Sequence, residues 1–234
     1  MYSRKYPEIV TATMQRVLDA SSHEVLLIRR NTEIHFSKSQ KVIGMAIMTN
    51  PGSYGFNRLP TWNEFSKNCN YEGEHLISGT GYADLTMQKI IDAVRFGYQE
   101  TGHILPDGIV RIVNISAIVQ PKGKSAEAYH LRAQHLLKAT HQELLLSEGF
   151  LASEERLQAE SRNLDFIIVG FVHNVFQKEA KKLMEYSQNV HNAVYVIDRQ
   201  GWFSHPRRWQ TDKDLMELAK QQMVKVLLNQ AKVK

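Results

Sequence analysis

Four short apolar runs, each ending in polar or turn-forming residues and separated by amphipathic stretches, constrain this chain more than any other feature. They are KVIGMAIMT (41–49), GIVRIVNIS (108–116), LDFIIVG (164–170) and NAVYVID (192–198). Runs this short and this continuously apolar suit strands buried on both faces. The segments between them carry helical periodicity at 85–99, roughly 125–146, 151–162 and 174–188. Such alternation implies an α/β fold in which parallel strands are joined by right-handed crossovers and helices cover both faces of the sheet.

The remaining segments extend this frame. Residues 7–20 place Ile9, Val10, Met14, Val17 and Leu18 at helical spacing, which predicts an N-terminal helix. EVLLIRRNTEIHF then reads as a hairpin, two short strands around an Asn31-Thr32 turn. Residues 51–83 hold five glycines and two prolines with little periodicity, so a long loop of functional or disordered character is expected there. Asp84 is placed to cap the helix that follows it. In 211–231, Leu215, Leu218, Ala219, Met223, Val224, Val226 and Leu227 form a closing helical stripe. With no repeat, low-complexity tract or linker in view, residues 1–234 read as one domain, a length that buries most of its apolar surface.

Composition narrows the chemistry. Cys69 is the single cysteine, so no disulfide closes within the chain and no multi-cysteine metal cluster assembles; a reducing, cytoplasmic setting follows. No stretch approaches the ~18 apolar residues of a membrane span, so a protein neither secreted nor membrane-spanning is expected. Lys and Arg number 29 against 24 Asp and Glu, and the resulting +5 charge favours a polyanionic partner. The phosphate-binding, dinucleotide, zinc-protease and nucleophile-elbow fingerprints are absent. His130, His135 and His141 lie at spacings that scatter them around a helix, so neither a metal nor a cofactor is expected.

In open α/β sheets ligands bind outside the carboxyl ends of the strands. Those ends carry Asn50 to Phe56, Asn114-Ile-Ser, Gly170-Phe-Val-His-Asn and, past the last strand, Ser204 to Trp209. Asn50 serves either turn geometry before Pro51-Gly52 or the holding of a water or substrate edge. Gly52 lets backbone N–H groups approach a ligand, while Tyr54 and Phe56 offer faces for base stacking. Asn114 interrupts an apolar run; it is either a satisfied core amide or a group that reads the paired donor and acceptor of a base edge. His205, Arg207, Arg208 and Trp209 combine imidazole, guanidinium and aromatic groups suited to phosphate and base contacts. His173 and Asn174 read as helix-capping residues.

MTNPGSYGF (48–56) resembles the first motif of the single-strand-selective and mismatch-type branches of the uracil-DNA glycosylase superfamily, and SHPRRW (204–209) is similar to that superfamily's closing His-Pro loop. The chain also resembles a bacterial domain family of unknown function, through NPG (50–52), DLT (84–86), VNISA (113–117), IIVGF (167–171) and SHPRR (204–208). Both resemblances place Asn-Pro, an Asn-bearing strand and His-Pro in one order. They imply a three-layer α/β/α fold with a mainly parallel four-stranded central sheet, acting on a base flipped out of single- or double-stranded DNA.

Carried over, Asn50 would orient the attacking water and His205 would stabilise the departing base. Gly52, Ser53, Tyr54, Phe56 and Asn114 would hold the base, and Ser204, Pro206, Arg207, Arg208 and Trp209 would contact DNA. Three departures stand out: Asn50 occupies the place of the catalytic Asp of the most active branch, Ser53 that of a Pro, and Arg207 that of the serine after His-Pro. A long 51–83 segment with Tyr54, Trp62, Phe65, Tyr71 and Tyr82 suggests a roomier pocket for a modified base, such as a bulky cytosine derivative of bacteriophage DNA, and hence a defence glycosylase. The alternatives are a non-catalytic reader of modified or single-stranded nucleic acid, and an N-glycosidase of free nucleosides or nucleotides.

Overall fold

The computed structural model describes residues 5–52, 55–56, 59–102, 106–120, 122–138 and 141–231. Its strands, in chain order, are β1 (Ile9–Asp19), β2 (Glu24–His35), β3 (Val42–Met48), β4 (Leu76–Tyr82), β5 (Ile109–Asn114), β6 (Phe166–Val169) and β7 (Ala193–Val194). The helices are α1 (Trp62–Lys67), α2 (Leu85–Glu100), α3 (Gly123–Lys138), α4 (Glu154–Ser161), α5 (Gln177–Gln188) and α6 (Lys213–Ala231).

The expected four-stranded, mainly parallel sheet becomes a seven-stranded mixed sheet in the order β4-β1-β2-β5-β3-β6-β7. Half of it keeps the expected character, because β3 pairs parallel with both β5 and β6, and β6 pairs parallel with β7. The other half is antiparallel: β1 lies between β4 and β2, and β2 runs antiparallel to β5.

β3 shows why its sequence is continuously apolar. Ala46 and Met48 join the core formed with α2 and α6, while Met45 and Ile47 join the opposite core formed with α4 and α5. A third cluster packs Leu26 and Ile28 of β2 against Ala133 and Leu137 of α3. Helices therefore cover both faces. At Gly44 a Cβ would lie 2.3 Å from the Phe166 ring, so glycine leaves room for that ring to lie across β3.

The N-terminal segment is a strand, not a helix. Val10, Met14 and Leu18 are four residues apart, a spacing that satisfies a helical face and also alternate positions of a strand. The β-branched Ile9, Val10, Thr11, Thr13 and Val17 favour the strand, and Val10, Ala12, Met14 and Arg16 are buried in strict alternation.

The expected Asn31-Thr32 hairpin turn is instead a bulge within one long strand. Asn31 takes a left-handed φ of 49°, and the register against β1 slips between Thr11 and Thr13. The extra residue inverts side-chain parity. Arg29, opposite Met14, and Ile34, opposite Val10, consequently share the face covered by α2.

The 51–83 segment also departs from expectation, since it forms α1 and the edge strand β4. Its aromatics pack on one another, with ring centroids 5.6 Å apart for Phe56 and Trp62, 5.9 Å for Trp62 and Phe65, and 6.0 Å for Phe65 and Tyr71. Arg16 lies over the Tyr71 ring at 4.8 Å and donates to the Asn68 carbonyl at 2.6 Å. Phe56 and Phe65 belong to the core and Trp62 and Tyr71 pack against it, so of the aromatics expected to shape a roomier pocket, Trp62, Phe65 and Tyr71 are engaged in packing, while Tyr54 lies outside the described residues. Among the described residues no helix is long and apolar enough to cross a membrane.

Candidate active site

The carboxyl ends of β3 and β5 open into a cavity of about 360 Å³, within the ~300–1,000 Å³ typical of small-molecule sites. Asn50, Gly52, Asn114, His205 and Arg207, predicted from separate stretches of sequence, all line it.

Backbone pairing brings them together. The Ile115 N–H donates to the Met48 carbonyl at 2.9 Å and the Ser116 N–H to that of Thr49 at 3.1 Å, so the chain after β5 runs beside the chain after β3. Thr49, fully buried, accepts through Oγ1 from the Val172 N–H at 2.7 Å, which ties in the segment after β6. The Phe171 N–H donates to the Phe203 carbonyl at 2.9 Å and delivers His205 to the same rim.

Asn50 donates through Nδ2 to the Gln120 carbonyl at 2.7 Å. That bond fixes the carboxamide and leaves Oδ1 as an acceptor. Asn114 is 7% exposed, and among the described residues nothing hydrogen-bonds to its side chain. Neither amide atom is sealed away from the cavity, so its donor and acceptor stand ready for a ligand.

His205 is 9% exposed and accepts at Nδ1 from the Arg207 N–H at 3.2 Å. The ring proton therefore sits on Nε2. Burial, reinforced by the Arg207 cation, pushes the imidazole down to about 4. His205 is consequently a neutral donor at physiological pH, suited to a developing anion that it does not itself protonate.

Other predicted positions serve the scaffold. Phe56, expected to stack on a base, is 1% exposed and turned against Trp62. Trp209, Ser204 and Pro206 are buried beneath the loop. Arg208 pairs with Asp198. Burial opposes ionisation of Asp198, and the backbone N–H groups of Trp202 and Gln200 together with Arg208 overcome it, holding the carboxyl below its ordinary range. Arg207 remains exposed and hydrogen-bonds Gln210. Ser53 and Tyr54 lie outside the described residues. His173 and Asn174 do not cap α5, whose N-cap is Phe176; the His173 ring instead meets Trp202 edge-on at 5.2 Å.

Two further residues line the pocket that were not predicted as site residues. Asp84 caps α2, accepting from the Met87 N–H at 2.9 Å as predicted, yet Asp84, Leu85 and Thr86 also line the pocket. Arg29 reaches it from β2 with its side chain largely buried. An arginine at a buried position of an apolar strand is the signal that something polar faces it.

Fold and site together define an α/β protein with a polar pocket at the carboxyl ends of a parallel block. The chain matches no family model, and no curated protein or solved structure matches it.

Proposed function

We propose that this protein is a DNA N-glycosylase that excises an unusual or modified base and leaves an abasic site. The observation that carries the reading is the convergence of Asn50, Asn114 and His205 on one pocket, in the roles their chemistry permits.

The reaction breaks the C1′–N bond, whose electron pair departs with the base while positive charge develops on the sugar. Anion stabilisation by a fixed donor matters more here than a strong base. The His205 Nε2–H donates to the base as it becomes anionic. Asn114 offers a donor and an acceptor to the base edge, which selects bases with a complementary pair. Asn50 Oδ1 accepts from a water and turns its lone pair toward C1′. Arg207, at the rim, contacts the phosphate backbone. Hypermodified cytosine of bacteriophage DNA is a candidate base, and a defence role follows if it is the substrate.

The test is incubation with DNA carrying uracil, other damaged bases or phage-type modified cytosines, followed by alkaline cleavage of abasic sites. Strand breaks on one substrate, lost in Asn50→Ala and His205→Ala, are expected. A second reading, a reader of nucleic acid that does not cleave, is favoured by the amide at position 50; binding without breaks on any substrate would establish it. Release from free nucleosides alone, without salt-dependent DNA binding, would point to a nucleosidase.

A further inference from the structure

Glycosidic cleavage separates charge, and the pocket has a polarity that matches it. Asp84 is the one carboxylate among the described residues that line the cavity, whereas Arg29, Arg207 and His205 bring cations and a neutral donor. We propose that Asp84 supplies the carboxylate that position 50 lacks; this rests on the glycosylase reading above.

Three observations converge on Asp84. Its Oδ1 is engaged by the Met87 N–H, and among the described residues Oδ2 carries no hydrogen bond, so half of the carboxylate is uncommitted. The capping bond fixes the side chain at the start of α2, a helix from Leu85 to Glu100. Asn114 and His205, both more than nine-tenths buried, line the same cavity, and neither the Asn114 carboxamide nor the His205 Nε2 has a hydrogen-bond partner among the described residues. A ligand in the cavity would meet both groups, and the carboxylate lies in its wall.

The step balances as follows. The C1′–N bond breaks and both electrons leave with the base, whose negative charge rests on the His205 Nε2–H. Asp84 stabilises the cationic sugar. Water then adds to C1′, its displaced proton passes to Asp84 and on to solvent, and the base takes a proton from solvent. One water is consumed, and an abasic sugar and a neutral base are formed. Capping alone accounts for Asp84 in the sequence; the pocket gives it a second duty.

Capping and charge can be separated, because Asn and Ser hold a helix N-terminus nearly as well as Asp. Wild type, Asp84→Asn and Asp84→Ser are compared in binding to duplexes with a tetrahydrofuran abasic analogue or its pyrrolidine counterpart, whose protonated nitrogen mimics the cationic sugar. Wild type is expected to prefer pyrrolidine by at least about 10-fold. Both variants should lose that preference, keep tetrahydrofuran binding and thermal midpoint, and release base about 100-fold more slowly. Variants that retain the preference and the rate would overturn the role of Asp84 while leaving the glycosylase intact, as would a wild type that releases base without preferring pyrrolidine. A wild type that neither binds abasic DNA nor releases any base would remove the glycosylase reading and this role with it.

Discussion

Replacing His205 with Asn tests the electrostatics of the pocket through stability, with no substrate required. The imidazole is held at about 4 by burial and by Arg207, against about 6.5 for an ordinary histidine. Above pH 6.5 neither the folded nor the unfolded state is protonated at this ring. As pH falls below 6.5 the unfolded chain takes up a proton that the fold refuses, so stability drops until the folded ring titrates near 4. The gap corresponds to about 3 kcal/mol, most of it lost by pH 4.5. In His205→Asn the amide oxygen can still accept from the Arg207 N–H, so the loop keeps its cap while the titration disappears. Urea unfolding of both proteins at pH 7, 5.5 and 4.5 isolates the effect. Carboxylates held low in the fold, at Asp19, Glu24, Glu155 and Asp198, also lose stability toward acid, but equally in both proteins. The difference between the proteins should shift by about 2–3 kcal/mol from pH 7 to 4.5, wild type losing more. Parallel losses would refute the buried, neutral imidazole and with it the role given to Nε2–H.

At Gly170 a Cβ would lie 2.5 Å from the Ser204 carbonyl oxygen and 3.2 Å from the His205 Cα. Gly170→Ala should therefore displace the His205 loop, costing about 1–3 kcal/mol in urea unfolding and about 100-fold in base release; normal stability would show that the loop yields freely. Asn114→Ala removes an amide without a protein partner, so its stability should stay within about 1 kcal/mol of wild type while base release falls at least 10-fold. A loss of about 3 kcal/mol would instead mark Asn114 as a scaffold residue.

The parallel half of the sheet was legible because its strands are buried on both faces, which leaves an unbroken apolar run that few other structures produce. The antiparallel half was not. β1 has apolar residues four apart, common to both periods, and Asn31 carries the polar, turn-forming character of a hairpin although its left-handed conformation builds a bulge. The bulge matters for the site, since it sets the parity that turns Arg29 toward α2, and parity across a bulge cannot be counted before the bulge is known. Phe56 and Trp209 were misassigned for a related reason. Aromatics beside Gly and Pro look like stacking platforms, yet here they fill the cores beneath the loops and hold the Asn50 and His205 segments in place.

Asn114 and Asn192 show what separates a functional amide from a structural one. Both are buried, and both interrupt apolar sequence. Asn192 donates through Nδ2 to the Ser161 and Leu164 carbonyls, at 3.0 and 2.8 Å, and so seals the turn that leads into β6. Asn114 has no such partner and opens onto a cavity that also holds His205, a carboxylate and two arginines. Residue type, burial and local pattern are alike, so a linear sequence cannot tell the two apart. The distinction lies in whether distant segments deliver carbonyls to the amide, which only the assembled fold decides. The Asn192 donor is met by two carbonyls inside the protein, although its Oδ1 is buried without a partner, whereas the Asn114 carboxamide opens onto the cavity, where a ligand can take up both its donor and its acceptor.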